Sequence, residues 1–346
     1  MIKICTVLGA RPQFIKAAAI SKLIQNQYKS QIEEVMIHTG QHFDFNMSDI
    51  FFQELQIPHP KYHLDVHGGS HAQMTSRMMM KLEEVFSNES PNAVLVYGDT
   101  NSTLAGALVA SQMNIPLIHI EAGLRSQNWK MPEERNRVLT DHMSDLLFCP
   151  TQKAVDHLKN EGISQGVFFS GDVMLDMAKQ VEIKTENILK ITNGEPYVFM
   201  TIHRAENCAN SKVFHEMIDW IKEVAQNRLI IWPIHPRSKQ AITQYQTDMT
   251  GIKLIEPLGY FDMISFLYEA DLVCTDSGGV QKEAFFVNTP CITMRSETEW
   301  EETLVGGMNR LWQSNLPLLN VQSTSHPFGN GEASHEIIKE ILRYFV

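Results

Sequence analysis

Most of the short motifs that reveal a chemistry on sight are missing from this chain of 346 residues. No GxGxxG follows a strand, so an NAD-dependent route to oxidation or epimerisation lacks its usual fingerprint. The phosphate-cradling GxxxxGK[ST] is absent, which leaves ATP hydrolysis by a P-loop unsupported, and neither a GxSxG elbow nor an HExxH helix occurs. Cys5, Cys149, Cys208, Cys274 and Cys291 form no CxxC pair. Four of them lie in or beside apolar strand-like runs and read as small buried residues in a reducing compartment. No apolar run reaches membrane-spanning length. Positive charge is in deficit, with 29 Lys and Arg against 40 Asp and Glu for a net charge of -11. That argues against nucleic acid as a partner and makes any phosphate site a local basic pocket in an acidic protein. The chain starts on a strand with no charged-then-apolar leader, so a cytoplasmic enzyme is expected. Internal repeats, low-complexity segments and long linkers are lacking too.

What is present is an ordinary globular composition, 43% hydrophobic and 20% charged, at a length that suits two α/β domains. Short apolar runs alternate with helical patterns throughout. Strands are expected at Ile4 to Leu8, Val35 to His38, Ala93 to Tyr97, Pro116 to Ile120 and Leu146 to Cys149, with helices over Phe14 to Ile24, Asn46 to Leu55, Gln73 to Phe86 and Thr103 to Gln112. Pro132-Glu133-Glu134 reads as a first helical turn, because proline and acids both suit that end. Near Ser170-Gly171-Asp172 the pattern restarts, with strands at Tyr197 to Ile202, Leu229 to Pro233, Ile252 to Ile255, Leu272 to Thr275 and Cys291 to Met294. Helices are expected over Asn210 to Gln226, Tyr260 to Ala270 and Ala333 to Phe345. The alternation implies two doubly wound sheets facing each other. The domains are expected to be residues 1–169, with 333–346 packing back on them, and residues 170–332.

The chemistry-bearing residues fall where such folds bind ligands, at the carboxyl ends of the strands: Arg11, Gln41, Asp99, Glu121, His203, His235 and Ser277. Asp276-Ser277-Gly278-Gly279 reads as a tight turn between a strand and a helix beginning at Val280. Such a turn presents unpartnered N–H groups to an anion such as a phosphate, with Glu283 one turn on for a sugar hydroxyl; it also serves simply as a turn. Arg11 and Lys16 flank a helix start, where cations oppose the helix dipole and so need another reason to be there. Asp99, Glu121 and Glu133 are acids of the kind that proton transfer at carbon requires, with plain readings as a helix cap, a surface acid and a dipole match. His59, His63, His67 and His71 recur every four residues, but Pro60 and Gly68-Gly69 break any single helix, so no metal site is expected. The methionines at Met74, Met78, Met79 and Met80 read as core or interface packing.

Together, Gly9-Ala10-Arg11-Pro12-Gln13-Phe14-Ile15-Lys16, Thr39-Gly40-Gln41-His42, Val96-Tyr97-Gly98-Asp99-Thr100, His119-Ile120-Glu121-Ala122-Gly123-Leu124-Arg125, Pro132-Glu133-Glu134-Arg135-Asn136-Arg137 and Thr275 to Ala284 resemble the non-hydrolysing UDP-N-acetylglucosamine 2-epimerases in content and order. The resemblance implies a GT-B glycosyltransferase-like fold of two Rossmann-like domains facing a cleft. The first would carry the acid–base chemistry and the second would bind UDP. It implies loss of UDP from C1 as the C2 proton is removed, a glycal intermediate, and re-addition with the proton delivered to the opposite face. In that reading Asp99, Glu121 and Glu133 are the catalytic carboxylates, with His203 and Lys16 beside them. Arg11, Ser277, Gly278, Gly279, Glu283, His235 and Leu258 bind UDP, and Gln13, Gln41, His42, Arg137 and Trp300 are candidates for sugar specificity. Neither metal nor cofactor is implied, the partner is a UDP-sugar, and a homodimer is expected. Gln13, Lys282, Phe285-Phe286, Pro290-Cys291 and Trp300 look closer to the branch acting on UDP-2,3-diacetamido-2,3-dideoxy-glucuronate. That favours this substrate over UDP-N-acetylglucosamine. The alternative of another class is a GT-B glycosyltransferase.

Overall fold

Strands dense in Val, Ile and Leu, without polar alternation, bury both faces and belong in parallel sheets covered by helices. The computed structural model describes residues 1–41, 54–55, 57–314 and 326–345, all but the side chain of Arg11. The chain divides into a first unit, Met1–Lys179 with His326–Val346, and a second, Gln180–Ser325.

In the first unit β1 (Ile2–Leu8), β2 (Ile32–His38), β3 (Tyr62–His63), β4 (Ala93–Tyr97), β5 (Leu117–Ile120), β6 (Leu146–Cys149) and β7 (Val167–Phe169) form one sheet in the order β3-β2-β1-β4-β5-β6-β7. All its pairings are parallel, with Thr6 opposite Leu95 and Val96 opposite His119. Helices α1 (Arg11–Leu23), α2 (His71–Glu89), α3 (Asn101–Gln112), α4 (Pro132–Met143), α5 (Gln152–Asn160) and α6 (Val173–Lys179) cover it. In the second unit, α7 (Glu186–Thr192), α8 (Ala205–Cys208), α9 (Ser211–Ala225), α10 (Pro236–Tyr245), α11 (Tyr260–Glu269) and α12 (Gly278–Phe286) accompany a second sheet. Its strands are β8 (Tyr197–Thr201), β9 (Leu229–Pro233), β10 (Ile252–Ile255), β11 (Leu272–Thr275), β12 (Cys291–Thr293) and β13 (Asn309–Leu311), in the order β10-β9-β8-β11-β12-β13. Both sheets therefore have the strand order of dinucleotide-binding folds, with the direction of winding reversing between β1 and β4 and between β8 and β11. No helix among the described residues is long and apolar enough to cross a membrane.

Local chemistry explains several boundaries. Helix α2 starts ahead of the expected Gln73 because Ser70 and Gln73 cap each other reciprocally, Ser70 Oγ accepting from Gln73 N at 3.3 Å and Gln73 Oε1 from Ser70 N at 3.0 Å. Thr100, not Asp99, caps α3, its hydroxyl accepting from Thr103 N at 3.3 Å. β3, β7, β13, α5, α6, α7, α8 and α10 go beyond the elements expected from the pattern; each strand among them is short and lies at a sheet edge. Most of the helix expected over 46–55 lies outside the described residues. His63 falls in β3 and His71 opens α2, so the histidine series spans a strand and a helix, and no group of three or more potential metal ligands occurs among the described residues.

The division between units falls at Lys179, later than the expected 169, because α6 packs on α1. The chain re-enters the first unit at His326 and ends in α13 (Ala333–Phe345), which packs on α1 and α6 through a face that includes buried Ile337, Ile338 and Ile341. Its N-terminus is held by the buried Asp176, whose carboxylate accepts from Ala333 N at 3.1 Å, Ser334 N at 2.7 Å and Ser334 Oγ at 2.6 Å.

Two acids of the first unit lend themselves to a test. Asp176→Ala leaves two helix N–H groups unpaired and should lower stability by about 1–3 kcal/mol in urea titrations, with faster proteolysis of the final helix; an unchanged midpoint would dismiss the cap. The second acid is Glu89 at the end of α2, which accepts from Lys61 Nζ at 2.6 Å, Tyr62 Oη at 2.6 Å and Lys3 Nζ at 3.2 Å. Lys61 first, then Tyr62, hold its carboxyl down at about 2 against an ordinary 4.5. A folded value below the unfolded one gives stability that is complete above the unfolded value and lost as pH falls through the folded one. The stability deficit of Glu89→Gln should therefore shrink between about pH 5 and about pH 2; a deficit independent of pH would contradict the ion-pair origin.

Candidate active site

At the carboxyl end of β1 the chain turns into α1 through Gly9, where a Cβ would lie 2.1 Å from Ser102 Oγ and 2.2 Å from Thr39 Oγ1. Only glycine fits so close an approach. Gln13, expected to read the sugar, has a different task. Its side chain is buried, accepts from Gly9 N at 2.8 Å and Ala10 N at 3.0 Å, and donates to Tyr97 O at 2.8 Å, Thr103 Oγ1 at 3.0 Å and Thr100 Oγ1 at 3.1 Å. It staples the β1–α1 turn to the β4–α3 turn, the two connections that flank the switch point. Gln41 makes a similar tie, its Oε1 accepting from Ser102 Oγ at 2.8 Å and Ser102 N at 3.1 Å. The Arg11 side chain and His42 lie outside the described atoms.

Lys16, one turn further along α1, is buried, and its ammonium meets Glu121 Oε1 at 2.5 Å. Glu121 follows β5 directly and is likewise buried, which excludes its reading as a surface acid. Its φ of 72° is a left-handed conformation that costs a non-glycine residue energy and re-aims its side chain out of the strand. Its N–H and that of Ala122 both donate to Phe148 O, which holds the bend. Gly98 stands opposite at φ 62°; a Cβ there would lie 3.4 Å from both Glu121 Oε1 and Lys16 Nζ.

Asp99 follows Gly98 at the end of β4. Its carboxylate, 28% exposed, pairs with Arg137 Nη2 at 2.5 Å, and Arg137 Nη1 lies 3.1 Å from Glu134 Oε2. Arg137 is buried, so it holds two acids rather than standing free for a sugar. Glu134 also accepts from Ser126 N at 2.9 Å, Gln127 N at 2.9 Å and Ser126 Oγ at 3.0 Å, fixing the loop before α4. Glu133 beside it is half-buried in the first turn of α4 and has no side-chain partner among the described residues. Of the three acids singled out in the sequence, the structure pairs two with cations and leaves Glu133 open.

In the second unit the ends of β8 and β9 carry the basic groups, and the end of β11 carries an acid, Asp276. Asp276 is fully buried, and its place in a glycine turn gives no hint of its role. It accepts from His203 N at 2.9 Å, Arg204 N at 2.9 Å and Asn207 Nδ2 at 2.9 Å, and lies 3.1 Å from His203 Nδ1. Burial raises the Asp276 carboxyl, but the His203 hydrogen bond and charge outweigh it and leave the group below the usual carboxylate range. This one carboxylate thus fixes the His203-Arg204 turn to β11. The His203 ring is partly exposed and lies 5.5 Å from the ring of His235, which caps α10 by accepting from Arg237 N at 3.2 Å.

Helix α12 starts earlier than expected. Ser277 is its cap, accepting from Val280 N at 3.4 Å, and Gly278 and Gly279 are its first two residues, not part of a tight turn ahead of Val280. Their N–H groups have no partner among the described residues, because the first N–H groups of a helix have no carbonyl behind them. A Cβ on Gly278 would lie 2.5 Å from Glu299 Oε1, which accounts for that glycine; one on Gly279 would meet nothing nearer than Ser277 Oγ at 3.8 Å. Glu299 pairs with Arg295 Nη1 at 2.7 Å. Trp300 is buried with the Lys282 ammonium 3.7 Å from its ring centre, so it is a cation–π platform beside the α12 N-terminus. Glu283 is buried in α12, and Leu258 is half-buried in the loop before α11.

The sequence motifs give His119 and Asp141 no individual role. Glu133, Arg137 and Asp141 recur every four residues and so share one face of α4, the signal that points to Asp141. Both sets of residues lie at the carboxyl ends of central strands, where doubly wound sheets bind nucleotides. Comparison with known proteins agrees. Residues 25–342 match the family model described as UDP-N-acetylglucosamine 2-epimerase. The chain is 45% identical to the UDP-2,3-diacetamido-2,3-dideoxy-D-glucuronate 2-epimerase of Pseudomonas aeruginosa, over 99% of this chain and 100% of that protein. It is 46% identical to a UDP-N-acetylglucosamine 2-epimerase homolog of Methanococcus maripaludis, over 99% of each. It superposes with a TM-score of 0.88, at 38% identity, on the crystal structure of the Methanocaldococcus jannaschii UDP-GlcNAc 2-epimerase in complex with UDP-GlcNAc and UDP, covering 99% of this chain and 100% of that one. The strand orders, the acids ending β4 and β5, the helix opening at Gly278 and these matches over almost the whole length have one explanation: the chain belongs to the UDP-N-acetylglucosamine 2-epimerase family.

Proposed function

We propose that the protein inverts C2 of a UDP-2-acetamido sugar, gluco to manno, by eliminating and re-adding UDP, and that its substrate is UDP-2,3-diacetamido-2,3-dideoxy-glucuronate. The observation that carries the reaction class is the set of acids at adjacent strand ends of the first unit, Asp99 held by Arg137 and Glu121 held by Lys16, with Glu133 open on α4. The similarity to the Pseudomonas aeruginosa enzyme supports the substrate.

A proton on C2 of a pyranose has no carbonyl beside it and is not acidic. Departure of UDP from C1 must therefore drive its removal, and donors aimed at the leaving diphosphate contribute most. In the second unit the N–H groups of Gly278 and Gly279, the Ser277 hydroxyl and His203 are candidates for this role, and the resemblance adds Arg11 to them. His235, Leu258 and Glu283 complete the UDP contacts, Glu283 accepting from a ribose hydroxyl. Inversion requires the proton to leave one face of the sugar and return to the other, so two groups divide the work among Asp99, Glu121 and Glu133. Lys16 balances the charge of Glu121. Gln41, His42 and Trp300 are the remaining specificity candidates. The manno product would enter surface polysaccharide such as O-antigen or capsule, made by a cytoplasmic homodimer.

Incubation in deuterated water with no acceptor tests the reaction. Deuterium at C2 in both epimers is expected; a sugar left unchanged would favour a glycosyltransferase and sink the proposal. Run side by side, the diacetamido uronate should exchange faster than UDP-N-acetylglucosamine, and the reverse order would move the substrate to the latter. Asp99→Asn and Glu121→Gln should each lower kcat at least about a hundredfold, the usual scale for an acid–base group. Near-normal turnover in both would remove them from the reaction.

A further inference from the structure

His119 sits in the middle of β5, fully buried in an otherwise apolar strand, and uses both ring nitrogens. Nε2 lies 2.8 Å from Gly98 O, and Nδ1 lies 2.7 Å from Asp141 Oδ1. A carbonyl only accepts, so Nε2 donates to Gly98. Asp141 in turn accepts from Arg125 Nη1 at 2.7 Å and Gly123 N at 3.1 Å. Burial raises the Asp141 carboxyl, yet His119 and Arg125 outweigh it and keep it below the usual range, so a carboxylate also faces Nδ1. Arg125 is anchored by Glu161 through two bonds of 2.7 Å. A relay from Glu161 through Arg125 and Asp141 thus ends on one imidazole, and that imidazole holds one peptide.

The peptide matters because of its neighbours. The Gly98 N–H donates to Ile120 O at 3.0 Å, so with the His119 bond both backbone polar groups of Gly98 are pinned to β5. The next residue is Asp99, whose own carbonyl accepts from Asn136 Nδ2 at 2.9 Å. The Gly98 Cα faces the Lys16–Glu121 pair. Glu121 itself stands two residues after His119, past the strand end. We infer that His119, oriented by Asp141, is a positioning residue for the reaction: its bond to the Gly98 carbonyl sets the spacing between the Asp99 carboxylate and the Lys16–Glu121 pair. This rests on the epimerase reading above. His119 touches no substrate atom, so its effect falls on the chemical step rather than on UDP binding.

The test compares wild type with His119→Ala, His119→Gln and Asp141→Asn. Each is checked for folding by circular dichroism and followed by C2 deuterium exchange of whichever of the two UDP-sugars the wild type turns over. His119→Ala should lower kcat by about tenfold to a hundredfold, the scale of a misplaced reacting group. KM should stay within about threefold, because uniform binding is untouched. His119→Gln should recover part of the loss, since its amide N–H can replace the donor to Gly98. A folded His119→Ala with wild-type kcat overturns the inference, as does equal impairment of the Ala and Gln variants or a change confined to KM. If His119→Ala does not fold, the Gln and Asp141→Asn variants decide the same comparison. Protein labelled with 15N-histidine provides a readout independent of turnover: the His119 Nε2 should carry the proton that the Gly98 carbonyl accepts, and an unprotonated Nε2 overturns the arrangement. A wild type with no exchange on either sugar would end the epimerase reading, while the ring spectrum would still say whether His119 holds Gly98.

Discussion

Parallel pairing makes every strand of a sheet point the same way, so every strand ends on the same edge and every following helix presents its N-terminus there. The remaining features of this protein depend on that constraint. It gathers Gly9, Gly98, Glu121, His203 and Ser277 at two edges, one in each unit, although they are scattered over most of the sequence. It also concentrates unpaired N–H groups where the chemistry needs donors and strand-end bends where it needs acids re-aimed.

Gathering charge in this way has a cost. Lys16, Glu121, Arg137, Asp141 and Asp276 are buried, and an unpaired buried charge is strongly disfavoured. The protein's solution is to bury them in partnered sets, Lys16 with Glu121, Arg137 with Asp99 and Glu134, Asp141 with His119 and Arg125, and Asp276 with the His203 turn. Such sets contribute little net stability, but loss of one member costs about 3–5 kcal/mol. They fix geometry: each links segments that are distant in sequence. Asp276 is the clearest case, since a single carboxylate satisfies two backbone N–H groups, an amide and an imidazole.

Much of this is legible in the order of the amino acids. The alternation of apolar runs and helical patterns locates the central strands. Strand ends flag Asp99, Glu121, His203 and Ser277, because a polar residue just after an apolar run has one place to go in such a sheet. Side-chain roles are less legible. The resemblance makes Gln13 and Arg137 candidates for sugar contact, yet the side chain of each is engaged by internal partners that no local pattern reveals. Asp276 and His119 are hidden for the opposite reason, sitting inside motifs whose glycines and acids carry the stronger signal. The edge strands β3, β7 and β13 are too short for a periodic signal. Gly278 and Gly279 suggest a tight turn, while the structure uses them as a helix start, with the close approach of Glu299 excluding a side chain at the first.

The re-entry of the chain at His326 places the second unit as an insertion within the first. A ribosome emits α1 and α6 early, but α13, whose Ile337, Ile338 and Ile341 are buried where it packs against them, follows only after the second unit. The unit begun first is therefore the one completed last, and its apolar docking face must wait through the synthesis of an entire second sheet before it is covered. Asp176, ready at that face to receive the two leading N–H groups of the final helix, makes the closing event a specific one.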